Sequence, residues 1–237
     1  YGIDVLTFVG AIWCLWLMKQ SAELPKKATS ALDDAKEGFR FALSKPELIG
    51  TYVIDIVAMV FAFPIALYPA MSQNWGGAKA AGVLFAGMAT GGIVMTIFSG
   101  WTKKFVHHGR GVVIAAALWA VFIIGFGFAH SLWAAFICLA FAGAADTISG
   151  IFRGVIWNES VPNTLRGRLS GIEMISYMTG PLLGNARAGW MAETFSIPIS
   201  LISGGVVCLV AVIVTACFLP QFWRYQATKP AVESASA

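Results

Sequence analysis

Two residues of opposite charge, Asp146 and Arg153, lie within long apolar segments of the sequence. Their spacing of seven residues is almost two turns of an α-helix, so both side chains project toward nearly the same side of one helix. A charged side chain at the centre of a bilayer costs roughly 2.5–3.5 kcal/mol on insertion scales, and such residues usually face a bundle interior or a water-filled cavity. The pair therefore indicates a protein that moves something polar across a membrane.

Two further acidic residues, Asp55 and Glu173, fall within predicted membrane-spanning segments. Asp55 lies about a third of the way into its span and could bind and release a proton during transport. Glu173 lies near the same end of its span as Arg153, so we expect these two side chains to form an ion pair. Asp146 is close to mid-span, where it either lines the transport path or pairs with a polar group on a neighbouring helix.

The composition indicates the class of protein that carries these residues. Hydrophobic residues make up 58% of the chain and charged residues 12%, whereas a soluble domain has about 45–50% and about 25%. The apolar residues occur in long runs, which predict an all-α polytopic membrane protein. The net charge of +4 does not indicate nucleic-acid binding, because Lys and Arg are concentrated in a few short polar segments, as membrane topology requires.

The distribution of basic residues predicts the orientation of the spans. Because these residues gather in alternate loops, the positive-inside rule places the C-terminus in the cytoplasm and Tyr1 outside. The first span is short and has no initiator Met before it, so we expect the sequence to begin within a helix of a longer protein. The predicted spans are residues 1–18, 48–68, 79–101, 111–129, 132–157, 168–191 and 197–219.

These spans imply four regions. The cytoplasmic linker at 19–47 carries an apolar stripe at helical spacing. Its helix either couples two halves of a transporter or serves as a plain connector. The regions are a truncated transmembrane helix at 1–18, a cytoplasmic linker with an amphipathic helix at 19–47, a six-helix transmembrane bundle at 48–219, and a disordered cytoplasmic tail at 220–237.

Small residues and prolines predict how some helices pack. Gly180 and Gly184 are four residues apart, a spacing that allows two helix backbones to approach closely. Pro181, between them, and Pro64, in an earlier span, predict kinks. Such features are common in membrane bundles and do not define a substrate.

The segment 161–171 carries a motif of a known family. It resembles the Val-Pro-x-x-Leu-Arg-Gly-Arg loop between helices ten and eleven of major facilitator superfamily transporters, in the branch that includes the enterobactin exporter and related efflux proteins. Asp146-x-x-Ser149-x-x-x-Arg153 and Gly180-Pro181-x-x-Gly184 are similar to the adjoining helices of that branch. The motif residues in the loop itself are Pro162, Arg166, Gly167 and Arg168.

The resemblance covers essentially the whole chain and implies its place in a larger protein. The chain would be the end of helix six, the central linker and helices seven to twelve, so its partner would be the missing N-terminal half of the same protein. The implied activity is secondary active export of a siderophore or an amphipathic drug by proton antiport and alternating access, in the bacterial cytoplasmic membrane. Asp146 or Asp55 would exchange the proton, with the small-molecule substrate, protons and the lipid bilayer as partners.

Two other classes of protein fit the span count. A heptahelical receptor is one, although its retinal-binding version needs a Lys in the last span, and 197–219 has none. A non-transporting scaffold or a gene remnant is the other. No constellation for enzyme catalysis occurs, no phosphate-cradling loop is present, and the cysteines lack ligand spacing, so we expect no enzymatic activity, no cofactor and no metal.

Overall fold

The structure is a computed structural model, and it describes residues 2–17 and 31–227. These ranges contain helices and no strand, which confirms the predicted all-α class. The chain divides into two compact units, Tyr1–Asp34 and Ala35–Ala237. The α-helices are α1 (Gly2–Leu17), α2 (Ala31–Ser44), α3 (Pro46–Phe61), α4 (Tyr68–Ser72), α5 (Ala78–Ile97), α6 (His108–Gly127), α7 (Leu132–Ser160), α8 (Arg166–Thr194), α9 (Ile197–Phe218) and α10 (Pro220–Trp223), with 3-10 turns at Ile65–Leu67, Gln73–Trp75 and Ser99–Lys104.

Helix α1 belongs to the first unit. Its 16 residues give it a length of about 24 Å, short of the roughly 30 Å hydrocarbon core of a bilayer. The part of it from Val5 to Leu17 is a short apolar helix. Tyr1 and the start of the predicted linker, residues 18–30, lie outside the described residues.

Among the described residues of the second unit, five helical segments are long and apolar enough to cross a membrane, as expected of a multi-pass membrane protein. Helix α8 matches the predicted span 168–191 and has 29 residues, but polar residues such as Glu173 and Asn185 keep it out of this set. The five segments are Pro46–Trp75, Ala78–Ile97, His108–Gly127, Leu132–Ser160 and Ile197–Phe218.

Helix α6 lies between α7 and α9, while α5 packs on α7 and α3 packs on α8 and α9. The α5–α7 contact depends on small residues. A Cβ atom built on Gly91 would lie 1.7 Å from the Ala140 carbonyl oxygen, and one built on Gly143 would lie 2.1 Å from the Met88 oxygen. The two helices can approach this closely only because these positions have no side chain.

The chain is interrupted after α3, where a kink at Pro64 was predicted. Pro64 has no N–H, so the Val60 carbonyl cannot receive the usual bond from four residues ahead. Arg187 of α8 replaces it, since its Nε donates to the Val60 oxygen at 3.1 Å. Asn185, also on α8, accepts from the Ala66 N–H at 3.2 Å on the far side of the break. By contrast, α8 runs through Pro181 without interruption.

We use the term basic end for the end of the bundle formed by the starts of α3, α6 and α8 and the end of α7. Helix α2 is attached there, because Arg168 of α8 donates to Glu37 at 2.6 Å. A small core of Ala42, Leu48, Val161 and Leu169 joins the same elements.

The segment 220–227 also packs on the basic end, which corrects the prediction that the tail is disordered from residue 220. Phe222 is fully buried, and its ring occupies the place where Gly50 has no side chain. The Tyr225 hydroxyl donates to Glu159 at 2.9 Å, and burial raises the pKa of Tyr225 to about 12. The buried Phe222 ring and the Tyr225–Glu159 hydrogen bond therefore hold this segment in place. Short-range sequence patterns do not reveal these long-range contacts. The rest of the predicted tail, from residue 228, lies outside the described residues.

Candidate functional site

Three charged side chains meet between α3 and α7, and we call them the charge cluster: Asp55, Asp146 and Arg153. The Arg153 guanidinium donates from Nη1 to Oδ1 of Asp55, which forms a close ion pair. Its Nη2 lies 3.9 Å from Oδ1 of Asp146. The exposed fraction of the side chain is 7% for Asp55, 14% for Arg153 and 44% for Asp146. The cluster is thus a buried ion pair with a second, more accessible carboxylate beside it.

The local sequence explains how the two helices present these groups. Helix α7 begins after Ser131, whose side chain accepts from the Ala134 N–H at 3.3 Å and so caps the first turn. From there the helix continues for 29 residues, which places Asp146 near its middle and Arg153 two turns later. Helix α3 starts with a proline at its first position and buries the face that carries Asp55.

A small cavity of about 10 Å³ adjoins the cluster. Two N–H groups of its lining residues are buried and have no hydrogen-bond partner among the described residues: Nε1 of Trp119 and Nε of Arg153. Trp119 comes from α6, which lies against α7, and only 2% of it is exposed. The lining consists of Ile54, Asp55, Ala58, Ala116, Trp119, Asp146, Ser149 and Arg153.

The charges of the cluster do not balance when all three groups are ionised, since one guanidinium faces two carboxylates. Uncompensated charge inside a bilayer-spanning bundle is costly. A proton on one carboxylate makes the cluster neutral. The arrangement can therefore take up one proton, which makes the cluster neutral, and release it again, which leaves only one carboxylate without a counter-ion.

The structure changes the expected partner of Arg153. Glu173 was expected to pair with it, but the described residues show no ion pair between them, and Arg153 bonds to Asp55 instead. Glu173 accepts a 3.4 Å hydrogen bond from the Tyr177 hydroxyl, one turn further along α8. Both acids lie on helices near α7, and sequence spacing alone could not decide between them.

The loop motif lies at the basic end, away from the cluster. Arg166 lies 5.9 Å over the Trp157 ring and donates to the Asn158 carbonyl at 3.1 Å. Arg168 reaches Glu37 on α2. Pro162 is exposed, and a Cβ atom on Gly167 would meet nothing within 4 Å. The motif thus ties the end of α7 to α8 and α2.

The glycines of α8 lie at its contact with α3. A Cβ atom on Gly184 would lie 2.0 Å from the Met59 carbonyl oxygen, and one on Gly180 would lie 2.9 Å from the Met59 Cβ. Pro181, between them, lies inside the helix. These residues set how closely α8 approaches the helix that carries Asp55.

Trp119 is the cluster neighbour that sequence reasoning missed. Nothing in its local pattern separates it from the other tryptophans of the chain, because its role depends on which helices surround α7. Among residues 2–17 and 31–227, no group of three or more His, Cys, Asp or Glu side chains could hold a metal ion.

Comparison with known proteins supports a role in transport. Curated relatives include the enterobactin exporter EntS of Escherichia coli O127:H6 (strain E2348/69), which is 24% identical over 215 residues, 90% of this chain and 51% of the relative. Proteins of the same name from Shigella flexneri and Shigella boydii serotype 18 are 24% identical over 217 residues, with the same coverage. The chain thus spans about half the length of the curated relatives it matches.

No solved structure matches the chain significantly. The family model described as transmembrane secretion effector matches residues 1–233. The names of this family and of the curated relatives are those of transport proteins and not of enzymes. The chain therefore belongs to the transmembrane secretion effector family, within the major facilitator superfamily.

Proposed function

We propose that this chain forms the C-terminal half of a proton-coupled exporter and that the charge cluster is its proton site. The observation that carries the proposal is the single guanidinium shared between two carboxylates inside membrane-spanning helices. Family membership favours this function over the heptahelical receptor and the scaffold.

In this mechanism the two carboxylates have different roles. Asp55 is almost fully buried and bonds closely to the Arg153 guanidinium, which holds it in an ion pair that joins α3 to α7. Asp146 is the more accessible carboxylate and lies 3.9 Å from Arg153, beyond hydrogen-bonding distance, so it takes up and releases the proton. Protonation of Asp146 neutralises the cluster, which lets it face a less polar environment as the two bundles rock past each other.

The substrate class follows from the relatives. Their name describes export of enterobactin, so we propose a siderophore or another amphipathic small molecule as the substrate. It would bind near the midplane, between this bundle and the six-helix bundle of the N-terminal half. The protein would lie in the bacterial cytoplasmic membrane, with the basic end and the C-terminus in the cytoplasm.

Proteoliposomes that contain the full-length protein test this function. An imposed pH gradient should drive export of enterobactin or a fluorescent drug, and Asp146→Asn should abolish the pH-driven component while the amount of reconstituted protein stays the same. Glu193→Gln, at an exposed acid near the end of α8, is the matched control and should transport normally. Export by Asp146→Asn that still follows the pH gradient would refute the proposed proton site.

A further inference from the structure

Two buried N–H groups beside the charge cluster lack partners. Nε1 of Trp119 and Nε of Arg153 are both inaccessible to solvent, and neither bonds to any described residue. A buried donor without a partner is destabilising, because it has lost its hydrogen bond to water and gained none in the protein. Both residues line the same cavity, together with the carboxylates of Asp55 and Asp146, so one guest in that cavity could satisfy all of these groups.

The size of the cavity restricts the guest. The space available to the centre of a water molecule is about 10 Å³. A cavity needs roughly 10–15 Å³ of such space to hold one water molecule. The Arg153 guanidinium disfavours a metal cation in this space, and the two carboxylates disfavour an anion. A neutral molecule that both donates and accepts hydrogen bonds matches the residues that line the cavity.

We propose that the cavity binds one water molecule, which bridges Trp119 and Arg153 to the two aspartates. The water oxygen accepts from Nε1 of Trp119 and Nε of Arg153, and its two hydrogens are donated to Asp55 and Asp146. This gives the water four partners, the upper end of the range for buried waters. The side chains of Ile54, Ala58 and Ala116 close the apolar side of the cavity.

This water makes Trp119 a positioning residue for proton exchange, a consequence that rests on the proposed function. When Arg153 bonds to Asp55, the water supplies Asp146 with a hydrogen bond that favours its ionised form. The charged groups facing Asp146 are Asp55 on α3 and Arg153 on its own helix, and α6 contributes no charged side chain to the cavity lining. Loss of the water should therefore make Asp146 keep its proton to higher pH.

The first experiment tests the water itself and does not depend on transport. Ultraviolet resonance Raman spectra of the full-length protein, with Trp119→Phe subtracted, report whether the Trp119 N–H is hydrogen-bonded. We expect a bonded signature in the parent protein and its loss in Ala116→Val, because the added methyl groups fill the cavity. Ala117→Val, at the next position of α6 but outside the cavity lining, should keep the signature. An unbonded N–H in the parent protein would overturn the proposal.

The second experiment tests the positioning role. In an infrared pH titration, the protonated-carboxyl band that disappears in Asp146→Asn should persist to higher pH in Trp119→Phe and in Ala116→Val. Trp133→Phe, at an exposed tryptophan, should titrate like the parent protein. Unchanged titration in both cavity variants would overturn the positioning role. A bonded Trp119 N–H together with export independent of Asp146 would sink the proposed function and leave the water site standing.

Discussion

Replacing each member of the charge cluster in turn is expected to separate the structural ion pair from the proton carrier. In Arg153→Met, two carboxylates are left facing each other without a counter-ion. In Asp55→Asn, Arg153 loses its close partner, but Asp146 is only 3.9 Å away and can take its place in part. In Asp146→Asn, the buried pair is untouched. The three variants therefore leave, in turn, two carboxylates without a cation, a guanidinium with only its more distant carboxylate, and an intact close ion pair.

The expected loss of stability follows that order. Removing one partner of a buried ion pair costs about 3–5 kcal/mol, so we assign roughly 5 kcal/mol to Arg153→Met and roughly 3 kcal/mol to Asp55→Asn. For Asp146→Asn, a partly exposed group at long range, we expect less than about 1 kcal/mol. At roughly 2–4 °C per kcal/mol for a chain of this size, Tm should fall by roughly 10–20 °C, 6–12 °C and less than 4 °C respectively.

Thermal unfolding in detergent, followed by fluorescence-detected gel filtration, measures this order. The double variant Asp55→Asn with Arg153→Gln should recover part of the stability lost in Arg153→Met, because it removes the more buried of the two carboxylates that lack a counter-ion. If Asp146→Asn proved as destabilising as Asp55→Asn, the division into a structural pair and a proton carrier would be refuted. The same would hold if Arg153→Met were the mildest of the three changes.

Two further changes test how the helices are held together. Gly91→Ala should lower the free energy of unfolding by about 1–3 kcal/mol, since its Cβ would overlap the Ala140 carbonyl of α7, whereas Gly82→Ala, which meets nothing within 4 Å, should be neutral or stabilising in the same thermal assay. Arg187→Met should also destabilise, by roughly 1–3 kcal/mol, because it leaves the Val60 carbonyl without its donor; an unchanged Tm would show that another group satisfies that carbonyl.

Sequence patterns predicted the features that depend on a single helix. Hydropathy predicted seven spans, because a bilayer requires about 20 apolar residues in a row. Five of them coincide with helical segments that, among the described residues, are long and apolar enough to cross a membrane. The spacing of Asp146 and Arg153 placed both on one side of α7, and the structure brings both into one cluster. A kink at Pro64 was expected from the missing N–H, and the chain is interrupted there.

The contacts between side chains of neighbouring helices could not be predicted from the sequence. Arg153 could reach an acid on α3 or on α8, and only the packing of the bundle shows that Asp55 is the one. The same packing brings Trp119 to the cavity and Arg187 to the break after α3. Glu173 and Asp55 have similar surroundings in the sequence, since each is a lone acid in an apolar run near the same end of its span.

The folded segment after the last span has a practical consequence for anyone who adds a tag or a reporter. Phe222 fills a space that two glycines, Gly50 and Gly109, leave open, and Tyr225 bonds to Glu159 at the end of α7. A fusion joined at residue 219 would remove this anchor, whereas one joined beyond residue 227 would retain it. A fusion joined at residue 219 should therefore be less stable than the same fusion joined beyond residue 227.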